Sequence, residues 1–160
     1  MNNIEIFKAI SALTLSQAYE NFPLKIDISP SDLAITLDDE YWDESLKEIS
    51  ENMSEVVRNK NPASIAKPTI EWLSSSGFIT YTGYSDGVFK GVCLTVKGIE
   101  SIESDNQRGN KLLLAVKELA IEELKTQAKV KLKVLFSEVL SWSLEKYPTI
   151  IQAVGNYSSS

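Results

Sequence analysis

The stretch at residues 64–102 constrains the fold of this chain more than any other part of the sequence. It opens with Ser64, a favourable N-cap residue, and Pro68 is expected in the first turn, where a missing amide hydrogen is tolerated. Gly77 follows at the position where a left-handed residue ends a helix, so we predict a helix over residues 64–76. The residues that recur at helical spacing and are expected to face the core are Ile65, Thr69 (or Ile70), Trp72 and Leu73.

Two strands are expected directly after this helix. Residues 78–82 are mostly aromatic or β-branched, and residues 88–95 form a second run with apolar positions. The segment 83–87 between them is rich in glycine, serine and aspartate, which favour a turn, so the two strands should form a hairpin. Lys97 and the residues after it are expected to begin another short helix.

The helix–strand junction and the segment after the hairpin carry a pattern that is specific for one fold. The matching residues are Leu73, Gly77, Phe78 and Ile79 at the junction, and Leu94, Thr95, Lys97 and Gly98 after the hairpin. This combination resembles the winged-helix family, strongly over residues 64–102 and loosely over the preceding part of the chain. The resemblance implies an α+β, mainly α fold with a small antiparallel sheet. The family includes DNA-binding regulators and also modules that bind only protein.

The residues before this stretch are predicted to add two helices and a third strand. A first helix should run from Asn3, which can cap it, to about Glu20. Alternation of apolar and polar residues over 24–28 predicts a short strand that joins the hairpin. Ser29 as N-cap, followed by a proline and by an aspartate in the first turn, predicts a short helix over residues 30–37.

Acidic residues are concentrated in one segment. The chain has a formal net charge of −6, from 16 basic and 22 acidic residues. Residues 38–57 contain eight of the acids and one base, so they carry −7 and the rest of the chain carries +1. We interpret 38–60 as an acidic helical insertion, because apolar residues at steps of three and four predict an amphipathic helix over 44–59. Its acidic face is either a solvated helix surface or a docking surface for a basic protein.

A second helical block is predicted in the C-terminal part. Polar residues at 104–110 indicate a hinge between a domain at 1–103 and a helical segment at 111–155, which a frayed tail at 156–160 follows. A long apolar stripe over 111–147 predicts one helix or two, although one short run within it also alternates as a strand would. Such a stripe has to be covered, either by the chain's own domain or by a second copy in a homodimer.

The residue inventory argues against an enzyme, a bound metal and a bound cofactor. The chain has no histidine, so a serine nucleophile would lack its usual base. Residues 83–87 match the pattern G-x-S-x-G, but that motif needs a strand-to-helix turn, and a hairpin is expected here. The acids at 38–43 lack the spacing of a calcium-binding loop. Cys93 is expected to be a buried thiol. Without a visible signal peptide or membrane-length apolar run, we expect a cytoplasmic protein with no membrane contact.

Two functional hypotheses remain. In the first, the chain is a protein-binding module whose acidic surface occludes a basic partner such as a nuclease toxin, as an immunity protein or antitoxin would. In the second, which the resemblance implies, it is a dimeric winged-helix DNA-binding transcriptional regulator, although its helix and hairpin hold few cations. The predicted protein-binding residues are Asp38, Asp39, Glu40, Tyr41, Trp42, Asp43, Glu44, Glu48 and Glu51. The predicted DNA-contacting residues are Ser64, Lys67, Thr69 and Lys90.

Overall fold

Helices dominate the fold, and the chain also forms one small antiparallel sheet. The computed structural model describes residues 1–37 and 61–147. Within these ranges the elements are α1 (Asn3–Asn21), β1 (Ile26–Ile28), α2 (Pro30–Leu37), α3 (Pro62–Ser75), β2 (Ile79–Thr80), β3 (Gly83–Ser85), β4 (Val88–Leu94), α4 (Val96–Glu103), α5 (Arg108–Leu119), a 3₁₀ helix (Glu122–Leu124) and α6 (Lys125–Lys146). The prediction of an α+β, mainly α protein is confirmed. None of the described helices combines the length and the apolar content that crossing a membrane requires.

Helix α1 occupies the centre of the core. Asn2, rather than the expected Asn3, caps it: the Asn2 Oδ1 accepts from the Glu5 amide at 2.9 Å, and the Glu5 carboxylate accepts from the Asn2 amide at 2.9 Å. The middle of the helix is buried on all sides, including the hydroxyl groups of Ser11 and Thr14. This follows from its neighbours, because α2, α3, α5 and α6 all pack against α1. The buried surface is therefore wider than the single apolar stripe that the sequence predicts.

Strand β4 lies in the middle of the sheet and pairs antiparallel with each of the other strands. Strand β1 lies on one side of β4, and β2 and β3 lie on the other, so the predicted third strand does join the hairpin. The turn is shorter than the predicted 83–87, because Gly83–Ser85 belongs to β3. Asp86 and Gly87 make the turn alone, with φ values of 55° and 76°. Positive φ at both positions is typical of a type I′ hairpin, which Asp-Gly favours.

An aromatic cluster joins α1 and α3 to α6. The ring of Phe7 lies edge-on to Trp72 at 5.0 Å and to Phe136 at 5.6 Å between centroids. Phe78 stacks on the indole of Trp72 at 6.2 Å. The prediction that Trp72 is a core residue is wrong, since 40% of its surface is exposed. Its indole covers the rim of the cluster over Phe7 and Phe78, whereas Phe136 fills the space between the helices.

The C-terminal block consists of two helices that pack on the rest of the chain. Helix α6 packs against α5 and α1, and one hydrophobic core runs from α1 through the sheet to both helices. Residues 127–133, in which apolar and polar residues alternate as they would in a strand, belong to helix α6. Helix α5 begins inside the predicted hinge at 104–110, and Arg108 and Gly109 are buried. Gly109 makes room for the ring of Tyr19, because a Cβ at this position would lie 2.6 Å from that ring and the ring would have to shift.

Candidate functional site

The start of α3 is fixed by a cap three residues before the predicted one. The Asn61 Oδ1 accepts from the Ser64 amide at 2.9 Å, and the Ser64 Oγ accepts from the Asn61 amide at 3.2 Å. The prediction of Ser64 as N-cap is therefore wrong, and Pro68 lies inside the helix rather than in its first turn. Asn61 followed by Pro62 supplies a cap and a proline at the first helical position, which is the stronger start signal. The hydroxyl of Ser64, a predicted DNA contact, is thus engaged within the cap.

Thr69 is a predicted DNA contact that the helix turns inward. It is 2% exposed, and its Oγ1 donates to the carbonyl of Ile65 at 2.7 Å. The expectation that it faces outward is wrong, because helical spacing puts it on the same face as Ala66 and Leu73, which are both buried. A hydroxyl in this position cannot reach a DNA groove.

Lys67 is exposed on α3 and contacts the β3–β4 hairpin. Its ammonium lies 4.5 Å from the centroid of the Tyr84 ring in β3. A cation–π contact of this kind stabilises an exposed pair by about 0.5–1 kcal/mol. Tyr84 in turn packs on Phe89 of β4, with 4.6 Å between the ring centroids. Lys67 thereby ties the helix to the hairpin, an arrangement that helical spacing alone does not predict.

Lys90, the predicted cation of the hairpin, is paired with an acid from the neighbouring strand. Its Nζ lies 3.5 Å from a carboxylate oxygen of Asp27 in β1, and both side chains are partly exposed. The other carboxylate oxygen of Asp27 accepts from the Gly91 amide at 3.3 Å. A nucleic acid approaching Lys90 would therefore meet a carboxylate beside it, which weakens the attraction for phosphate.

The described surface of α3 and the hairpin is not basic. Its two lysines, Lys67 and Lys90, are matched by two acids on the same helix and hairpin, Glu71 and Asp86, and Asp27 of the neighbouring strand β1 adds a third. An arginine would be the preferred reader of guanine, but the chain has only two arginines. Arg58 lies outside the described residues, and Arg108 is buried at the junction of α4 and α5. These charges give DNA little to bind on this face.

Arg108 has a structural role. Its Nη1 donates to the Ser101 carbonyl at 2.7 Å and to the Ser104 Oγ at 2.6 Å. Its Nε lies 3.7 Å from a carboxylate oxygen of Glu138 on α6. The guanidinium thus joins the end of α4 to α6 from inside the protein, which sequence reasoning did not anticipate because the segment read as a polar hinge.

Lys97 is another cation with an internal role. Its Nζ donates to the Ser76 carbonyl at 2.6 Å, just past the end of α3. The ammonium also lies 4.6 Å from the ring centroid of Phe78 and 5.4 Å from that of Tyr147. Burial lowers the pKa of Lys97 below its ordinary value. Gly77, beside it, adopts the predicted left-handed conformation with φ of 85°. Lys97 and Gly77 therefore close the helix–strand junction together.

The largest charge feature of the chain lies between α2 and α3, outside the described residues. It contains all nine predicted protein-binding residues and the predicted helix at 44–59. The net charge of −6 divides into −5 for residues 38–60 and −1 for the described residues, since 148–160 hold no charged side chain. Helix α2 packs against α3, so the acidic segment is attached at both ends to one pair of packed helices. The nine residues are Asp38, Asp39, Glu40, Tyr41, Trp42, Asp43, Glu44, Glu48 and Glu51.

The G-x-S-x-G match and the candidate metal ligands have no supporting geometry in the described part of the chain. The segment 83–87 lies in the hairpin, where Ser85 and Asp86 are exposed and no helix follows the serine. Residues 1–37 and 61–147 contain no group of three or more side chains suited to hold a metal ion. The acids at 38–43 lie outside these ranges.

Two open grooves flank α6. The first, of about 710 Å³, lies between α1 and α6 and is lined by Ile4 and Trp142 among others. The second, of about 400 Å³, lies between α5 and α6 and includes Leu114. Val130 and Val134 line both grooves and form the ridge that separates them. Charged side chains also line both grooves, among them Glu138.

Comparison with known proteins identifies no relative of this chain. No protein-family model, no curated protein and no solved structure matches it. Its function therefore has to be inferred from its own side chains, charges and contacts.

Proposed function

We propose that this protein is a non-enzymatic protein-binding module on a winged-helix scaffold, and that its acidic segment binds and occludes a basic partner. The observation that carries the proposal is the concentration of negative charge. Residues 38–57 carry a net charge of −7, whereas all other residues together carry +1. A field of this kind attracts a basic surface and can raise its association rate by about 10–10³-fold.

The scaffold part of the proposal rests on the order and pairing of the elements. A helix, a short strand and two further helices precede the hairpin, and β1 pairs with β4 of that hairpin. The junction between α3 and β2 is closed by Gly77 and Lys97, which are two of the residues that carry the winged-helix resemblance. The acidic segment then occupies the connection between α2 and α3.

The partner that fits this chemistry best is a protein with a basic substrate cleft, such as a nuclease toxin. An acidic surface that covers such a cleft competes with the phosphates of the nucleic acid substrate. Tyr41 and Trp42 stand among the acids, and aromatic residues are frequent anchors at the centre of protein interfaces. The protein would then act as an inhibitor of the immunity-protein or antitoxin kind, in the cytoplasm.

The competing proposal is a DNA-binding regulator that uses α3 and the hairpin. Its support is the resemblance itself and the exposed Lys67 beside the hairpin. Against it stand the inward-facing Thr69, the pairing of Lys90 with Asp27 and the absence of an arginine from the described surface of α3 and the hairpin. We therefore favour the protein partner.

The discriminating experiment is a pull-down with the full-length chain from its native cell, at low and moderate salt, with and without nuclease. The proposal expects a basic protein that is retained after nuclease treatment and released as salt rises. A triple variant, Asp39→Lys with Asp43→Lys and Glu44→Lys, should abolish its capture. The matched control is the variant Glu20→Lys with Glu122→Lys and Glu123→Lys, which changes the net charge by the same amount at exposed acids elsewhere in the chain. This control should still capture the basic protein.

The opposite pattern would favour DNA. In that case nuclease removes everything that is captured, and the triple variant at 39, 43 and 44 binds as well as the unmodified chain or better. Lys67→Ala and Lys90→Ala would then weaken capture. Equal loss with the triple variant and with the matched control would mean that total charge matters and the acidic segment is not the site.

A further inference from the structure

We draw no further inference here: the strongest candidate, the exposed outer face of α6 around Val130 and Val134, carries none, because Lys131 and Lys133 beside it are already paired with Glu118 and Glu5, and nothing in the described part of the chain shows what covers it.

Discussion

The substitution Gly109→Ala tests how tightly the junction between α4 and α5 is packed on α1. A Cβ at this position would lie 2.6 Å from Cε1, Cζ and Oη of Tyr19, well inside van der Waals contact. The ring would have to move by about 1 Å to restore a normal separation. Such a movement would disturb the hydrogen bond that the Tyr19 hydroxyl donates to the carboxylate of Glu103 at 2.8 Å.

The magnitude follows from these contacts. Forcing an extra methyl group into a packed site costs about 1–3 kcal/mol, and loss of the bond between Tyr19 and Glu103 falls within that range. When the ring is absent, alanine is favoured over glycine in a helix by about 0.5–1 kcal/mol. Gly109→Ala should therefore destabilise the normal protein and stabilise the Tyr19→Ala variant. The coupling energy between the two sites should be about 1.5–4 kcal/mol.

The assay is urea unfolding of four proteins, followed by tryptophan fluorescence: the unmodified chain, each single variant and the double variant. Gly83→Ala serves as control, since a Cβ there meets nothing within 4 Å, and it should change the free energy of unfolding little. An equal cost of Gly109→Ala with and without the Tyr19 ring would refute the packing that we describe.

Three further predictions concern other contacts. Trp72→Ala should cost about 1.5–3 kcal/mol because its indole is partly exposed, whereas Phe78→Ala should cost about 3–5 kcal/mol, and chemical unfolding compares them directly. Arg108→Met keeps the apolar stem but removes the bonds to Ser101 and Ser104, and thermal or chemical unfolding should reveal a loss of about 2–4 kcal/mol. The hydrogen bond from the Asn2 amide, helped by the nearby Lys133, lowers the pKa of Glu5 below 4.5. A carboxylate with a lowered pKa adds stability that is complete above about pH 4.5 and is lost as pH falls through the folded-state pKa, so Glu5→Gln should flatten the acid decline of the melting temperature.

Local chemistry made much of the fold predictable from the sequence. Ser29 followed by proline fixed the start of α2, because capping depends on residues that are adjacent in the chain. Asn61 and Pro62 carry the same signal, and giving it priority over Ser64 would have placed the start of α3 correctly. Gly77 was predicted correctly for the same reason, since a left-handed helix end is decided within a few residues.

Tertiary contacts account for what the sequence did not reveal. Whether Trp72 lies in the core or on its rim depends on how Phe7 and Phe78 are arranged around it. Phe7 belongs to α1 and Phe78 follows the end of α3, so the helical spacing of α3 does not show this arrangement. Lys67 and Lys90 were recognised as cations, but their partners Tyr84 and Asp27 come from other elements. The polar composition of 104–110 indicated a hinge, yet burial of Arg108 and Gly109 is decided by α1, α4 and α6.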